Sequence, residues 1–156
     1  PLVEYALQIW FPYQIPLIDA IEGIQRSFTK RLQGFVKKSY AERLQCLNLL
    51  HLQSLRHCCL LFDLILCFNI VRGFTALSFN DFFSLSQNTS TRGHTFKLVV
   101  PIVKTNTKKY FFSSRIVLIW NTLPQQFVSA SSTAKFKSLI TNHDLSFFLI
   151  HPTYIQ

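Results

Sequence analysis

The sequence predicts a mainly α-helical fold, a small helical bundle with a short strand or extended segment near residues 96–110. Three observations predict it. Apolar residues recur at helical spacing over residues 16–33 and again over 111–142. Residues 52–72 are apolar almost throughout, and residues 73–110 are rich in Ser, Thr, Asn and Lys. Because 49% of the residues are hydrophobic, the chain can bury a core, which excludes general disorder.

The same changes of composition divide the chain into four segments. We expect a helical region over residues 1–73, a polar and basic connector with the short strand over 74–110, a C-terminal helical region over 111–149, and a tail over 150–156. A length of 156 residues suits one modest domain better than two. The chain contains no Met, so we expect it to be a fragment of a longer protein.

The clearest predicted helix covers residues 16–33. Pro16 suits a first helical position, and Gly34 suits a stop. One arc of the helical wheel is apolar and consists of Leu17, Ile18, Ile21, Ile24, Phe28 and Leu32. The opposite arc is polar and consists of Asp19, Glu22, Arg26, Lys30 and Gln33. We therefore expect the apolar arc to pack inward and Arg26 and Lys30 to share an exposed face.

Two further helices are predicted before residue 73. Ser39 and Glu42 match a capping box, which predicts a short helix after Ser39. The next helix is predicted from Leu52 to Arg72 and is closed by Gly73. It lacks a wide polar face, so it must be buried. Since a small domain has little core to cover such a helix, we expect missing sequence or a partner to cover part of it.

Arg56 and Asp63 are charged residues in the interior of this apolar helix, and they fall on nearly the same side of it. We interpret them as the helix's residual solvent-exposed stripe, because exposed ion pairs are common and weak. The alternative is a polar contact to the rest of a larger protein.

The second half of the chain begins with a predicted strand over residues 96–100, ended by Pro101. Residues 104–112 set lysines beside aromatic rings, which are the ingredients of a surface for single-stranded nucleic acid. Phe111 and Phe112 are nevertheless more often core residues than stacking platforms. A helical stripe also favours a core role, and it consists of Phe112, Ile116, Ile119 and Leu123. Pro124 ends that helix. A last helix is predicted over residues 133–141, capped by Ser131 or Ser132, with Phe136, Leu139 and Ile140 inward.

The positive charge is concentrated in two groups. The net charge is +9, and no acidic residue occurs between Asp81 and Asp144. The basic residues within that interval are Arg92, Lys97, Lys104, Lys108, Lys109, Arg115, Lys135 and Lys137. The other group consists of Arg26, Lys30, Arg31, Lys37, Lys38 and Arg43. This imbalance favours a polyanionic partner, most simply nucleic acid, over a solvated lysine-rich surface.

The cysteines and the apolar segments bear on the compartment. Cys46, Cys58, Cys59 and Cys67 form no Cys-x-x-Cys pair and are interpreted as small hydrophobic residues. The apolar stretch 58–71 is too short to span a bilayer and contains Asp63. We expect a protein of the cytoplasm or nucleus, in a reducing setting and without membrane partners.

Catalysis within this chain is not expected. Polymerases and nucleases cluster carboxylates around divalent metals, whereas the seven acidic residues here are scattered, with no Asp-Asp pair. Only four glycines occur, and none forms a phosphate-binding loop. His57 and Cys58 are adjacent on one predicted helix and point apart. We therefore predict no catalytic residue, no metal site and no cofactor.

Two blocks of sequence go beyond composition. The first contains Leu2-Val3-Glu4-Tyr5-Ala6, Ile9-Trp10-Phe11-Pro12-Tyr13 and Gln25-Arg26-Ser27-Phe28-Thr29-Lys30-Arg31-Leu32. The second contains Thr91-Arg92-Gly93-His94, Lys97-Leu98-Val99-Val100-Pro101, Thr105-Asn106-Thr107-Lys108-Lys109-Tyr110-Phe111-Phe112-Ser113-Ser114-Arg115 and Trp120-Asn121-Thr122-Leu123-Pro124. Between them lie Tyr40, Glu42-Arg43-Leu44 and Leu47-Asn48-Leu49. In order and spacing, these blocks resemble the region that follows the polymerase domain in LINE-type (non-LTR) retrotransposon reverse transcriptases.

The resemblance covers residues 1–149 and implies a thumb and post-thumb region that flanks the template–primer duplex. The parent protein would be an RNA-directed DNA polymerase whose Asp-Asp motif lies upstream and is absent here. The partners implied are RNA or an RNA–DNA duplex, together with the upstream polymerase domain of the same polypeptide. The residues we expect to bind nucleic acid are Arg26, Lys30, Arg31, Arg92, Lys104, Lys108, Lys109 and Arg115. Those we expect to be structural are Trp10, Tyr40, Trp120, Asn121 and Pro124.

Three alternatives stay open. The apolar helix 52–72 could make the chain an interaction module that docks onto the upstream polymerase domain. Arg56 stands alone where relatives often carry paired basic residues, a departure that favours an inactive relic of a retroelement. A small membrane-associated basic protein is the third alternative, favoured by the phenylalanine content and the charge.

Overall fold

The computed structural model of this chain describes residues 9, 12, 14–48, 55–86 and 93–150. The fold is mainly helical, which confirms the predicted class, and the described residues form no strand. The helices are α1 (Ile15–Lys30), α2 (Tyr40–Asn48), α3 (Leu55–Arg72), α4 (Phe79–Phe82), α5 (Asn106–Lys109), α6 (Phe112–Thr122), α7 (Gln125–Val128), α8 (Thr133–Thr141) and α9 (Ser146–Ile150).

The chain forms two compact units, residues 1–59 and residues 60–156. The division falls within α3, between Cys59 and Leu60. Unit 2 therefore contains both the connector over 74–110 and the C-terminal region over 111–149 of the sequence-based division.

Local capping explains the ends of the helices in unit 1. Pro16 lies in the first turn of α1, and the helix ends at Lys30, earlier than the predicted residue 33. Gly34 follows with φ of 83°, a left-handed conformation that favours glycine. The predicted capping box of α2 is confirmed, because Ser39 N donates to Glu42 Oε2 (2.7 Å) and Glu42 N donates to Ser39 Oγ (3.3 Å).

The predicted inward face of α1 is wrong for three of its six apolar residues. Leu17, Ile24 and Phe28 are 50%, 60% and 60% exposed, whereas Glu22 is only 8% exposed and Thr29 is fully buried. Glu22 tolerates burial because its carboxylate accepts hydrogen bonds from Tyr40 Oη (2.7 Å) and Leu55 N (3.1 Å). The helix thus turns part of its polar side toward the rest of unit 1, and an apolar stripe faces outward.

The core of unit 2 is built around α3. Leu64, Cys67 and Phe68 are fully buried, and the Phe68 ring stacks on Phe136 of α8 with ring centroids 4.3 Å apart. No residue from Leu55 to Arg72 is exposed, although several are only half-buried, so the cover by missing sequence or a partner stays a prediction. Gly73, at φ of 70°, follows its last turn as predicted.

The C-terminal helices pack into the same core with the predicted faces. The stripe of α6 is confirmed, since its members Phe112, Ile116, Ile119 and Leu123 are all buried. Phe136 and Ile140 of α8 are fully buried, and Leu139 packs against the core. Ser132 is the cap of α8, with its hydroxyl accepting from Lys135 N at 3.2 Å.

The predicted strand over residues 96–100 is reduced to an extended segment. Among the described residues its one bridge is antiparallel, between Leu98 and Leu85. On its other side the side chain of Asn121 substitutes for a strand: Leu98 N donates to Asn121 Oδ1 (2.9 Å), and Asn121 Nδ2 donates to Leu98 O (2.8 Å). A side-chain amide thereby satisfies the backbone groups that a second strand would otherwise pair.

Candidate nucleic-acid interface

A basic groove runs between α1, the loop that follows it and α2, all within unit 1. Its volume is about 470 Å³, and it is lined by Gly23, Arg26, Ser27, Lys30, Val36, Lys38 and Arg43. Four of these residues are cationic, and none of the described lining residues is acidic. We call this feature the basic groove. Positive charges that surround one concave space raise the local potential and attract anions.

Arg43 holds the two sides of the basic groove together. It is only 5% exposed, and its Nη1 donates to the carbonyl of Lys38 (2.8 Å) while its Nη2 donates to the carbonyl of Arg26 (3.4 Å). The guanidinium therefore links α1 to the loop before α2 and is a fixed charge in the wall. Arg26, Lys30 and Lys38 are exposed and can reach a ligand.

The ring of Tyr40 contacts two arginines of the basic groove. The guanidinium carbons of Arg26 and Arg43 lie 5.0 Å and 5.6 Å from the centroid of its ring, within the range of cation–π attraction. Its hydroxyl donates to Glu22, and burial followed by this hydrogen bond raises the pKa of Tyr40 well above its ordinary value. Tyr40 was predicted to be structural, and it contacts both sides of the groove.

Two of the three site residues predicted on unit 1 line the basic groove, namely Arg26 and Lys30. Arg31 is exposed at the end of α1 but does not line it. The site prediction missed Lys38 and Arg43. Both belong to the basic group recognised in the sequence, and Arg43 follows the capping residue Glu42. Nothing in the sequence, however, indicates that these two residues lie next to α1. Trp10 lies outside the described residues.

Lys104, Lys108 and Lys109 belong to the segment that precedes α6 in unit 2. Lys104 and Lys108 are exposed, and Lys109 is half-buried with Nζ 5.6 Å from the centroid of the Tyr110 ring. Thr105 caps α5, its side chain accepting from Lys108 N. The neighbouring ring of Phe111 is exposed. Arg92, also predicted to bind nucleic acid, lies outside the described residues.

Arg115 pairs with Asp63 inside unit 2. Its Nε and Nη2 donate to the two carboxylate oxygens of Asp63 at 2.7 Å and 2.9 Å, and its Nη1 donates to Tyr110 O at 3.2 Å. Asp63 is buried, so the interpretation of Arg56 and Asp63 as one solvent-exposed stripe was wrong. Arg56 pairs instead with Asp19, Nη2 to Oδ1, at 3.3 Å. The polar groups of α3 serve contacts within the chain.

The predicted structural residues of unit 2 join two segments that are separated along the chain. Trp120 is fully buried, and its indole Nε1 donates to Phe96 O at 2.8 Å. Its carbonyl lies 2.9 Å from His94 Nε2, and Phe96 N donates to His94 Nδ1 at 3.2 Å. Burial lowers the pKa of His94. Pro124 caps α7. Two segments of the second sequence block therefore pack against each other, and His94 is the structural residue that the prediction left out.

The described residues contain no group of three or more His, Cys, Asp or Glu side chains that could hold a metal ion. None of the four cysteines takes part in a disulfide, and Cys59 and Cys67 are buried as small apolar side chains. Within the same described ranges, no helix has the length and apolar character needed to cross a membrane.

Comparisons of this chain with known protein families, with curated proteins and with solved structures found no match.

Proposed function

We propose that this chain binds the phosphate backbone of RNA or of an RNA–DNA duplex, as the non-catalytic C-terminal region of a LINE-type reverse transcriptase. The observation that carries the proposal is the basic groove, in which Arg26, Lys30, Lys38 and Arg43 surround one space of about 470 Å³. The upstream polymerase domain of the same polypeptide is the partner that would supply catalysis.

The chemistry of the basic groove suits phosphates rather than bases. Arg26 and Lys30 lie one turn apart on α1, a separation of about 6 Å along the helix axis. Ammonium and guanidinium groups bind phosphate oxygens through charge-assisted hydrogen bonds. Contacts of this kind position a duplex without selecting its sequence, and they release counterions. We therefore expect binding that is insensitive to sequence and sensitive to salt.

Gly23 provides a matched pair of variants for the test. It lines the basic groove, and a Cβ added there would have no heavy atom within 4 Å. Gly23→Ala should therefore leave the groove open, and Gly23→Glu should set a carboxylate among the four cations. We expect wild-type chain and Gly23→Ala to bind a short RNA–DNA hybrid alike in fluorescence anisotropy, and Gly23→Glu to bind about tenfold more weakly or worse.

The salt dependence is the second part of this test. The affinity of the wild-type chain should fall steeply as salt rises, and that of Gly23→Glu should fall less, because fewer phosphate contacts are made. Equal affinities for the two variants, or a wild-type affinity that does not change with salt, would contradict the proposal.

An inactive relic of a retroelement would also bind in this way. The departures from the family pattern, such as the single basic residue at Arg56, concern the activity of the parent enzyme. The interaction-module alternative has less support, because no residue of α3 is fully exposed. A peripheral membrane role has the outward stripe of α1 in its favour, and anionic vesicles added as competitors of the hybrid would reveal it.

A further inference from the structure

Phe111 and Phe112 are neighbours in sequence with opposite surroundings. Phe112 is 4% exposed and packs edge-on against the ring of Phe83 in the core of unit 2, with centroids 5.9 Å apart. Phe111 is 54% exposed. A phenylalanine that is 54% exposed forgoes part of the hydrophobic stabilisation that full burial would give. The sequence alone favoured a core role for both rings, so the outward ring calls for an explanation.

The backbone that carries Phe111 is held on both sides. Phe111 N donates to Lys108 O (3.3 Å), and Phe111 O accepts from Ser114 N (3.0 Å) and Arg115 N (3.1 Å) as the cap of α6. Arg115, fixed by Asp63, also donates to the carbonyl of Tyr110. The ring is therefore displayed from an ordered support, which lowers the entropic cost of binding a ligand.

The charge around Phe111 indicates what its ring could bind. Lys104 and Lys108 are exposed within seven residues of it, and the sequence contains no acidic residue between Asp81 and Asp144. A flat apolar ring on a segment that also carries exposed lysines complements a ligand that combines flat apolar faces with negative charge. Unpaired nucleotides have both features, whereas the bases of a duplex are stacked on each other and closed to a protein ring.

We infer that residues 104–111 form a second nucleic-acid site, which takes single-stranded RNA or DNA. Phe111 stacks on an unpaired base, and Lys104 and Lys108 bind the phosphates on either side of it. This inference rests on the proposed function for the class of ligand and deepens it: the basic groove of unit 1 contacts a backbone, and this site of unit 2 requires an unpaired base.

Three variants of the whole chain separate stacking from charge. Phe111→Ala removes the ring, Phe111→Trp keeps a stacking surface, and Lys108→Glu reverses a charge at an exposed position. The probes are a single-stranded oligouridine and a blunt RNA–DNA hybrid, measured by fluorescence anisotropy. We expect Phe111→Ala to weaken binding of the oligouridine about tenfold, as loss of one stacked base requires, with Phe111→Trp near wild type. Binding of the hybrid should not change in either Phe111 variant.

A second readout reports stacking directly. A single 2-aminopurine placed within the oligonucleotide should lose fluorescence when it stacks on Phe111, and this loss should be absent in Phe111→Ala. The inference is overturned if Phe111→Ala binds the single strand as tightly as the wild-type chain does. It is also overturned if Phe111→Ala weakens the hybrid as much as the single strand, or if polyglutamate competes as well as oligouridine, which would indicate an acidic protein partner.

The two proposals fail in different ways. If the basic groove binds nothing, Gly23→Glu leaves hybrid binding unchanged while Phe111→Ala still weakens the single strand. If the site around Phe111 binds nothing, the pattern is reversed. A wild-type chain that binds neither probe overturns both. Because Phe111 and Lys108 are exposed, their variants should unfold at the wild-type temperature, which circular dichroism can verify.

Discussion

Arg115 and Asp63 form a bidentate ion pair that joins α6 to α3 across 52 residues of sequence. The side chains are 14% and 4% exposed, and the two bonds are 2.7 Å and 2.9 Å long. Parallel bonds from a planar guanidinium to both oxygens of a carboxylate fix the relative orientation of the two helices. An ion pair at this depth makes each partner dependent on the other, because a charge left alone there is poorly solvated.

Removing Arg115 should be costly. We expect Arg115→Met to destabilise the chain by about 3–5 kcal/mol in urea unfolding, because the buried Asp63, whose pKa is already raised by burial, would lose the partner that favours its charged form. The double variant Asp63→Leu with Arg115→Met should regain much of that loss, since both charges leave together. A double variant as unstable as the single one would show that the pair is not the source of the effect.

Arg43 should be needed for its geometry and not only for its charge. Arg43→Lys keeps the charge and cannot donate to both the Lys38 and Arg26 carbonyls as the guanidinium does. We expect it to cost about 1–3 kcal/mol of stability and to weaken binding of the RNA–DNA hybrid. Arg31→Lys, at an exposed position outside the groove, is the control and should change stability by less than about 0.5 kcal/mol. Similar effects for the two variants would contradict the role given to Arg43.

The features that the sequence predicted well are those whose partners are close along the chain. The capping box joins Ser39 to Glu42, the cap of α8 joins Ser132 to Lys135, and the stripe of α6 repeats within a single helix. Such patterns depend on the fixed geometry of one helix, so local spacing is sufficient to recognise them.

The features that the sequence did not predict depend on distant partners. Glu22 is buried because Tyr40 and Leu55, 18 and 33 residues away, donate to it. A helical wheel records only the polarity of each side chain, so it assigned Glu22 to solvent and Ile24 to the core. The basic groove was half predicted for the same reason: the spacing on α1 paired Arg26 with Lys30, but only the fold brings Arg43 to them.

The orientation of α1 gives a direct test of this difference. Ile24 and Phe28 are exposed, so Ile24→Gln and Phe28→Gln should each change the free energy of unfolding by less than about 0.5 kcal/mol. Glu22→Leu should cost more, about 1–3 kcal/mol for each buried donor left unsatisfied at Tyr40 and Leu55. Urea unfolding measures all three. The opposite order, with Ile24→Gln the most damaging, would favour the inward face predicted from the sequence.

His94 should make stability depend on pH. Both ring nitrogens are engaged, and Nδ1 accepts from Phe96 N, so in the neutral ring the proton lies on Nε2 and faces the carbonyl of Trp120. A second proton on Nδ1 would point at the Phe96 N–H and break that hydrogen bond. Burial is the largest cause that lowers the pKa of His94 below its ordinary 6.5, and the charge of Lys97 adds to it. The hydrogen bond to Trp120 acts in the opposite direction.

A pKa lowered by folding means that the unfolded chain binds the proton more readily. The contribution of His94 is therefore fully present above pH 6.5 and is lost as the pH falls below that value toward the lower pKa of the folded state. The slope from one such group is at most about 1.4 kcal/mol per pH unit. For His94→Gln, whose side chain cannot titrate, the free energy of unfolding measured in urea should change less with pH over this range. Part of the pH dependence should persist, because burial also lowers the pKa of His57. An unchanged slope in His94→Gln would contradict the assignment.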